Sequence, residues 1–264
     1  METTLLASPI PKIEEFIYPD SDGKPMADNT LQFDYITLIK GNLEILFKDD
    51  PSVFVAGDLL WYPVEGKPAI ATAPDVLVVF GRPKGYRGSY KQWQEANIPP
   101  QVVFEILSPS NTEAEMTRKL RFYETHKVEE YYLFDPQEGQ LLGWQRLDGR
   151  LRPVEMVSGR VSPLLDIQFQ LVGDELKLFF PDGQPFLSQI DLDEARQQAE
   201  YRAKRERQAR LQAESQAKAE QQARRQSDYR AEQAENRAKA EQQARLKAEL
   251  RLQELEAILK QAGL

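Results

Sequence analysis

Cysteine is missing from this 264-residue chain, and histidine occurs only as His126. The first absence excludes disulfides, thiolate metal sites and cysteine nucleophiles. The second excludes a histidine metal cluster, and His126, beside Lys127 at the end of a helical pattern, reads as a helix-terminal residue rather than a base. No apolar run approaches the roughly 18 residues of a membrane span, and no basic start leads into an apolar stretch with a small-residue cleavage site. The expected setting is therefore the cytoplasm, with no membrane partner. Two further motifs are missing: the G-x-S-x-G elbow of a serine hydrolase, and a Walker-type phosphate loop. "GRPKGYRG" at 81–88 lacks the latter's spacing and its terminal Lys-Ser/Thr pair. Ser108 and Ser110 flank Pro109 and are expected to end a strand rather than attack a substrate.

Proline and glycine almost vanish after residue 190. Residues 191–264 contain no proline and one glycine, Gly263, among many Gln, Ala, Arg, Lys and Glu, a composition that favours helix. This part holds 16 Lys and Arg against 14 Asp and Glu, which leaves 18 against 28 in the part before it. The net charge of −8 is therefore +2 in the tail and −10 in the body, and the body's acidity opposes a broad non-specific nucleic-acid surface. Two parts are expected: a folded domain over 1–190 and a charged Ala/Gln-rich helical tail over 191–264.

In the body, "YPDSDGKPMADN" at 18–29 is turn material. Leu31, Tyr35, Ile39, Leu43 and Phe47 then recur every four residues, with Leu38 and Leu46 widening the stripe. This spacing predicts an amphipathic helix over about 30–47, capped by Asp28 or Asn29. "SVFVAGDLLWYP", "DVLVVF" and "QVVFEIL" are rich in Val, Phe and Ile and read as strands. A second helix is predicted in "NTEAEMTRKLRFYETHK" at 111–127, where Thr112 and Glu115 form a capping box and Met116, Leu120 and Tyr123 share a face. "EEYYLFDP" follows as a strand, and "GQLLGWQRLDGRLRPVEM" as a hairpin around Asp148-Gly149. Strand, helix, strand over 101–135 implies a crossover unit in a mixed sheet, hence an α/β body.

Two carboxylates are out of character with their surroundings. Glu105 sits inside "VVFEIL", where alternation puts Val103, Glu105 and Leu107 on one face and Val102, Phe104 and Ile106 on the other. Asp75 precedes the apolar run "VLVVF". An acid beside an apolar core is costly unless it is paired or binds a metal. The plain alternatives are a turn acid after Pro74 for Asp75 and a salt-bridged or strand-end acid for Glu105.

The series "APDVLVVF", "VVFEILSPSN", "RKLRFYE" and "EEYYLFDP" resembles the Uma-type restriction endonucleases, abundant in cyanobacteria and part of the PD-(D/E)xK nuclease superfamily. The resemblance spans about residues 10–185 and omits the tail. It implies a restriction-endonuclease-like core that binds a divalent cation, Mg²⁺ first and Mn²⁺ second, and hydrolyses phosphodiester bonds of DNA. Asp75 matches the motif's first acid and Glu105 its second. Leu107 stands where the superfamily pattern has lysine, and the resemblance assigns that lysine to the following helix as Lys119. Such a set is chemically coherent: carboxylates are hard oxygen ligands for Mg²⁺, and a lysine can stabilise charge at a phosphate. Asp58 is a candidate third metal ligand, although a turn residue after Gly57 is the plainer reading.

Arg82, Lys84, Arg87 and Lys91 interleave with Tyr86, Tyr90 and Trp93 and are candidate DNA contacts, against the alternative of an ordinary charged loop. In the tail, Ala248, Leu252, Leu255 and Leu259 make the clearest apolar seam, which predicts a coiled-coil homodimer pinned near the C-terminus. A solvated single helix held by alternating charges is the competing form. The functional alternative to an endonuclease is a non-catalytic nuclease-fold module whose tail recruits a protein partner.

Overall fold

The computed structural model describes residues 16–21, 23, 25–156 and 158–261, with side chains of the last helix described as far as Leu255. The chain divides into two compact units, Met1–Leu192 and Asp193–Leu264.

The first unit opens with α1 (Thr30–Leu46), capped by Asn29, whose side chain accepts the Gln32 amide at 2.8 Å. Its buried face is Gln32, Tyr35, Ile36, Ile39, Asn42 and Leu43, while Leu31 is exposed. A strict four-residue spacing drifts about 40° around the helix at each step. The stripe through Tyr35, Ile39 and Leu43 therefore faces the core, and its first member does not.

The strands that follow are β1 (Val53–Gly57), β2 (Trp61–Tyr62), β3 (Val76–Phe80), β4 (Tyr90–Lys91) and β5 (Val102–Ile106). Then come α2 (Glu113–Thr125), β6 (Glu130–Asp135), β7 (Gln140–Leu147), β8 (Arg150–Val154), β9 (Gln168–Val172) and β10 (Glu175–Phe179). A six-stranded sheet runs in the order β1-β3-β5-β6-β7-β8. It is mixed, because the β5–β6 pair joined by α2 is parallel and the other pairs are antiparallel. The α/β fold with a mixed sheet is thus the expected one. "SVFVAGDLLWYP" yields two strands rather than one, since Asp58 adopts φ 47° and breaks the run. The hairpin between β7 and β8 turns through Asp148 (φ 50°) and Gly149 (φ 76°), the left-handed pair that a tight two-residue turn requires.

The sheet separates two apolar layers. Val102, Phe104 and Ile106 of β5 pack with α1 and with Phe169, Leu176 and Leu178 of the β9–β10 hairpin. Val103 packs on the other side with Met116 and Tyr123 of α2, and with Trp61, Tyr131 and Leu133. Helix α2 is capped by Thr112, which accepts the Glu115 amide at 3.2 Å. Met116 and Tyr123 are buried and Leu120 is packed partly against the same layer.

Helix α3 (Gln189–Gln261) runs for 73 residues and starts at Ser188, whose hydroxyl accepts the Asp191 amide at 3.2 Å. In the second unit, ion pairs such as Arg210–Glu214 and Glu235–Lys239 lie one turn apart along it, and its described side chains are exposed. No helix among the described residues is long and apolar enough to cross a membrane.

Candidate active site

Strand register brings the two unusual acids together. The β3–β5 ladder pairs Val76 with Phe104. One step further along the same antiparallel register, Asp75 stands opposite Glu105, and opposed residues share a face of the sheet. That face is the α2 side. The Asp75 carboxylate also closes the ladder, with Oδ2 accepting the Ile106 amide at 2.6 Å. Both acids are buried, Asp75 at 8% exposure and Glu105 at 2%.

The helix after β5 returns Lys119 to Glu105. Its Nζ donates to Oε2 of Glu105 at 2.7 Å. Tyr123, one turn later, donates its hydroxyl to Oε1. The Glu105 carboxylate therefore has a donor on each oxygen, both from one face of α2. Tyr123 had only a packing role in the sequence pattern, although its i+4 spacing from Lys119 was visible in "KLRFY".

A cleft of about 920 Å³ lies in front of this cluster. Asp75, Lys119, Asp58, Asp28 and Arg118 are among its lining residues, and Glu105 lies behind them. Ser108 and Ser110 donate to Oδ2 of Asp28, the former at 2.7 Å, and Asn111 accepts the Ser108 amide at 2.9 Å. These serines close a loop, as their place around Pro109 suggested. Gln32 of α1 joins the loop to the sheet: it accepts the Asp28 amide at 2.9 Å and donates to Ile106 O at 3.0 Å.

Electrostatics reflect the crowding. Burial, and next the Glu105 carboxylate, push Asp75 up to about 8, against the Ile106 amide and the Lys119 ammonium, while Asp58 adds to the rise. For Lys119, burial favours the neutral amine, but the charge and hydrogen bond of Glu105, with Asp75 and Glu115, outweigh it and raise its pKa. Burial and Glu105 likewise push Tyr123 well up, so it remains a donor.

Buried, mutually repelling carboxylates behind a cleft are the donor chemistry that a hard divalent cation relieves, so Asp75 and Glu105 fit such an ion. The three-acid set with Asp58 is not assembled: among the described residues no group of three or more His, Cys, Asp or Glu is arranged to hold a metal. The β1–β3 ladder ends at Gly57 and Val76, and Asp58 follows in a left-handed conformation (φ 47°). It lines the cleft, donates its backbone N–H to Asp75 O at 3.2 Å, and its charge adds to the rise of the Asp75 pKa.

The basic loop stands apart from this cleft. None of Arg82, Lys84, Arg87 and Lys91 lines the cleft. Arg82 and Arg87 each reach Glu95 at 2.7 Å, and Arg87 lies 4.0 Å from the Phe54 ring centroid. Lys84 donates to Phe47 O at 2.5 Å, and Lys91 lies 5.7 Å from the Tyr18 ring centroid. Tyr90 is fully buried and donates to Ile98 O, leaving Tyr86 as the exposed aromatic. An acid thirteen residues past Arg82 uses the guanidiniums that the sequence pattern offered to DNA. His126 is the C-cap of α2, packed on Phe122 and Trp61.

A family model described as "Uma2: Putative restriction endonuclease" matches residues 24–174. The chain belongs to the Uma2 family. The match contains Asp75, Glu105 and Lys119 and ends before the tail, and membership supports a nuclease function for the Uma2 domain. Among solved structures, the chain is similar to a crystal structure of a putative nuclease belonging to DUF820 from Anabaena variabilis. The identity is 16% and the TM-score 0.40, over 53% of this chain and 74% of that one. No curated protein matches it.

Proposed function

We propose that this chain is a divalent-metal-dependent DNA endonuclease in which Asp75 and Glu105 hold Mg²⁺ or Mn²⁺ and Lys119 supplies positive charge at the reacting phosphate. The observation that carries this reading is the contact between helix-borne Lys119 and strand-borne Glu105, directly beside buried Asp75 at a cleft. When bound, the cation would polarise the phosphoryl oxygen and acidify a water. Asp75 would give up its proton to serve as a ligand at neutral pH. Lys119, kept protonated by its acidic neighbours, Glu105 first, has hydrogens to offer a non-bridging phosphate oxygen. Asp58 would add negative charge to the mouth of the site without being a ligand.

Single-turnover cleavage and Mn²⁺ calorimetry on the same folded proteins test this. Asp75→Ala and Glu105→Ala should nearly abolish cleavage and weaken Mn²⁺ binding. Lys119→Met should slow cleavage by roughly 10²–10³-fold with Mn²⁺ affinity at the wild-type level or above, because it removes a charge but no ligand. Undiminished cleavage by Lys119→Met would eliminate the lysine's role. A wild-type protein inert on linear, supercoiled and single-stranded DNA with either cation would favour the second reading, a non-catalytic module that gathers a protein partner on its 73-residue helix.

A further inference from the structure

Glu105 is buried, at 2% exposure, and its two oxygens are treated differently. Both donors come from α2, at positions 119 and 123, so both stand on the helix face toward the sheet. Lys119 is charged, sits on a flexible stem and lines the cleft. Tyr123 is neutral and has no exposed surface. Its ring stacks on Trp61 at 6.5 Å and packs on Tyr131 at 5.0 Å. An ammonium on four methylenes can swing away, whereas the phenol can leave only by opening an aromatic layer.

We infer that Tyr123 is the positioning residue of Glu105: its hydroxyl anchors Oε1 in the core and thereby presents Oε2 to Lys119 and the cleft. The consequence for metal binding rests on the nuclease reading; the positioning itself rests on the contacts alone. A neutral donor suits this task, since it fixes the carboxylate without cancelling its charge, and Oε2 keeps that charge for Lys119 or a cation. A second lysine at this place would neutralise the site. Packing does not explain the hydroxyl. Tyr131, in the same layer, carries a buried hydroxyl with no hydrogen-bond partner among the described residues, so the layer does not by itself oblige a phenol to reach a carboxylate.

The test compares full-length Tyr123→Phe and Tyr131→Phe, each of which keeps its ring. Metal-free crystal structures should show the Glu105 carboxylate displaced in Tyr123→Phe and unmoved in Tyr131→Phe. Mn²⁺ affinity should fall by about 10–100-fold in the first, the range for loss of a residue that orients a ligand, and stay at the wild-type level in the second. A Glu105 that superposes on the wild type in Tyr123→Phe would overturn the inference. So would a lowered melting temperature with unchanged Mn²⁺ affinity, or an equal affinity loss in both variants. If the wild type takes up no Mn²⁺, the nuclease reading falls, and the crystal comparison still decides the positioning.

Discussion

Asp75 is held between opposing forces. Burial and the neighbouring Glu105 favour the neutral acid, while the Ile106 amide and Lys119 favour the carboxylate, and the balance lies at about 8. An unfolded aspartate titrates near 3.9, roughly. The folded value is the higher one, so this group's contribution to stability is full below about pH 4 and is lost as pH rises toward 8. Asp75→Asn retains an oxygen for the Ile106 amide and removes the titration. Calorimetric melting in EDTA from pH 5 to 8 should show the wild type losing stability relative to Asp75→Asn. Parallel curves would mean that Asp75 ionises freely. Tyr131→Phe is the complementary case: it deletes an unpartnered buried hydroxyl and should be neutral or stabilising by about 1 kcal/mol in urea unfolding.

Local chemistry makes α2 legible as an element, and its position makes it functional. Thr112 caps it as the sequence implied, and the crossover between β5 and β6 obliges it to lie across the sheet. That placement is what carries Lys119 back to the strand that ended before it began. Thr112→Ala should cost about 1 kcal/mol in urea unfolding and loosen the first turn. The reciprocal half of the capping box did not form: Glu115 accepts from the Asn111 side chain at 3.3 Å. A second buried acid shows the limit of reading strands alone. Glu130 opens β6 in an equally apolar run, yet it accepts the hydroxyls of Tyr132 and Ser162, the latter at 2.5 Å, and the Leu164 amide at 2.9 Å. It ties down the segment before β9 and does not line the cleft in front of Asp75. Nothing in "EEYYLFDP" separates its role from that of Glu105, because two of its three partners, Ser162 and Leu164, come from more than thirty positions away.

For the whole molecule, the tail poses the assembly question. Leu246, Leu250, Leu252 and Leu255 are exposed by 60%, 55%, 58% and 48% in the single chain, and Leu259 of the expected seam lies beyond the described side chains. The octapeptide AKAEQQAR occurs at 217–224 and again at 238–245. The offset equals three heptads; a straight helix would misalign the copies by roughly 60°, and a left-handed supercoil would align them. A homodimer through the tail is expected. Sedimentation equilibrium should give a dimeric mass for the full chain and a monomeric one for the Leu252→Glu, Leu255→Glu double variant. A monomeric wild type would leave the tail a single helix braced by its ion pairs.

The sequence by itself determined what depends on near neighbours. Helix caps, the 3.6-residue stripe of α1, the alternation that sets Glu105 apart from Phe104 and Ile106, and the left-handed turn at Asp148-Gly149 are all settled within a few positions of chain. The four short motifs also sufficed for the family. Only tertiary structure decided which charges meet: Arg82 and Arg87 go to Glu95, Asp75 comes to stand opposite Glu105, and Tyr123 takes the oxygen that Lys119 leaves. The physical reason is range. Backbone preference acts over one turn, whereas a buried charge must find its partner wherever the sheet register and the packing of α2 have placed one.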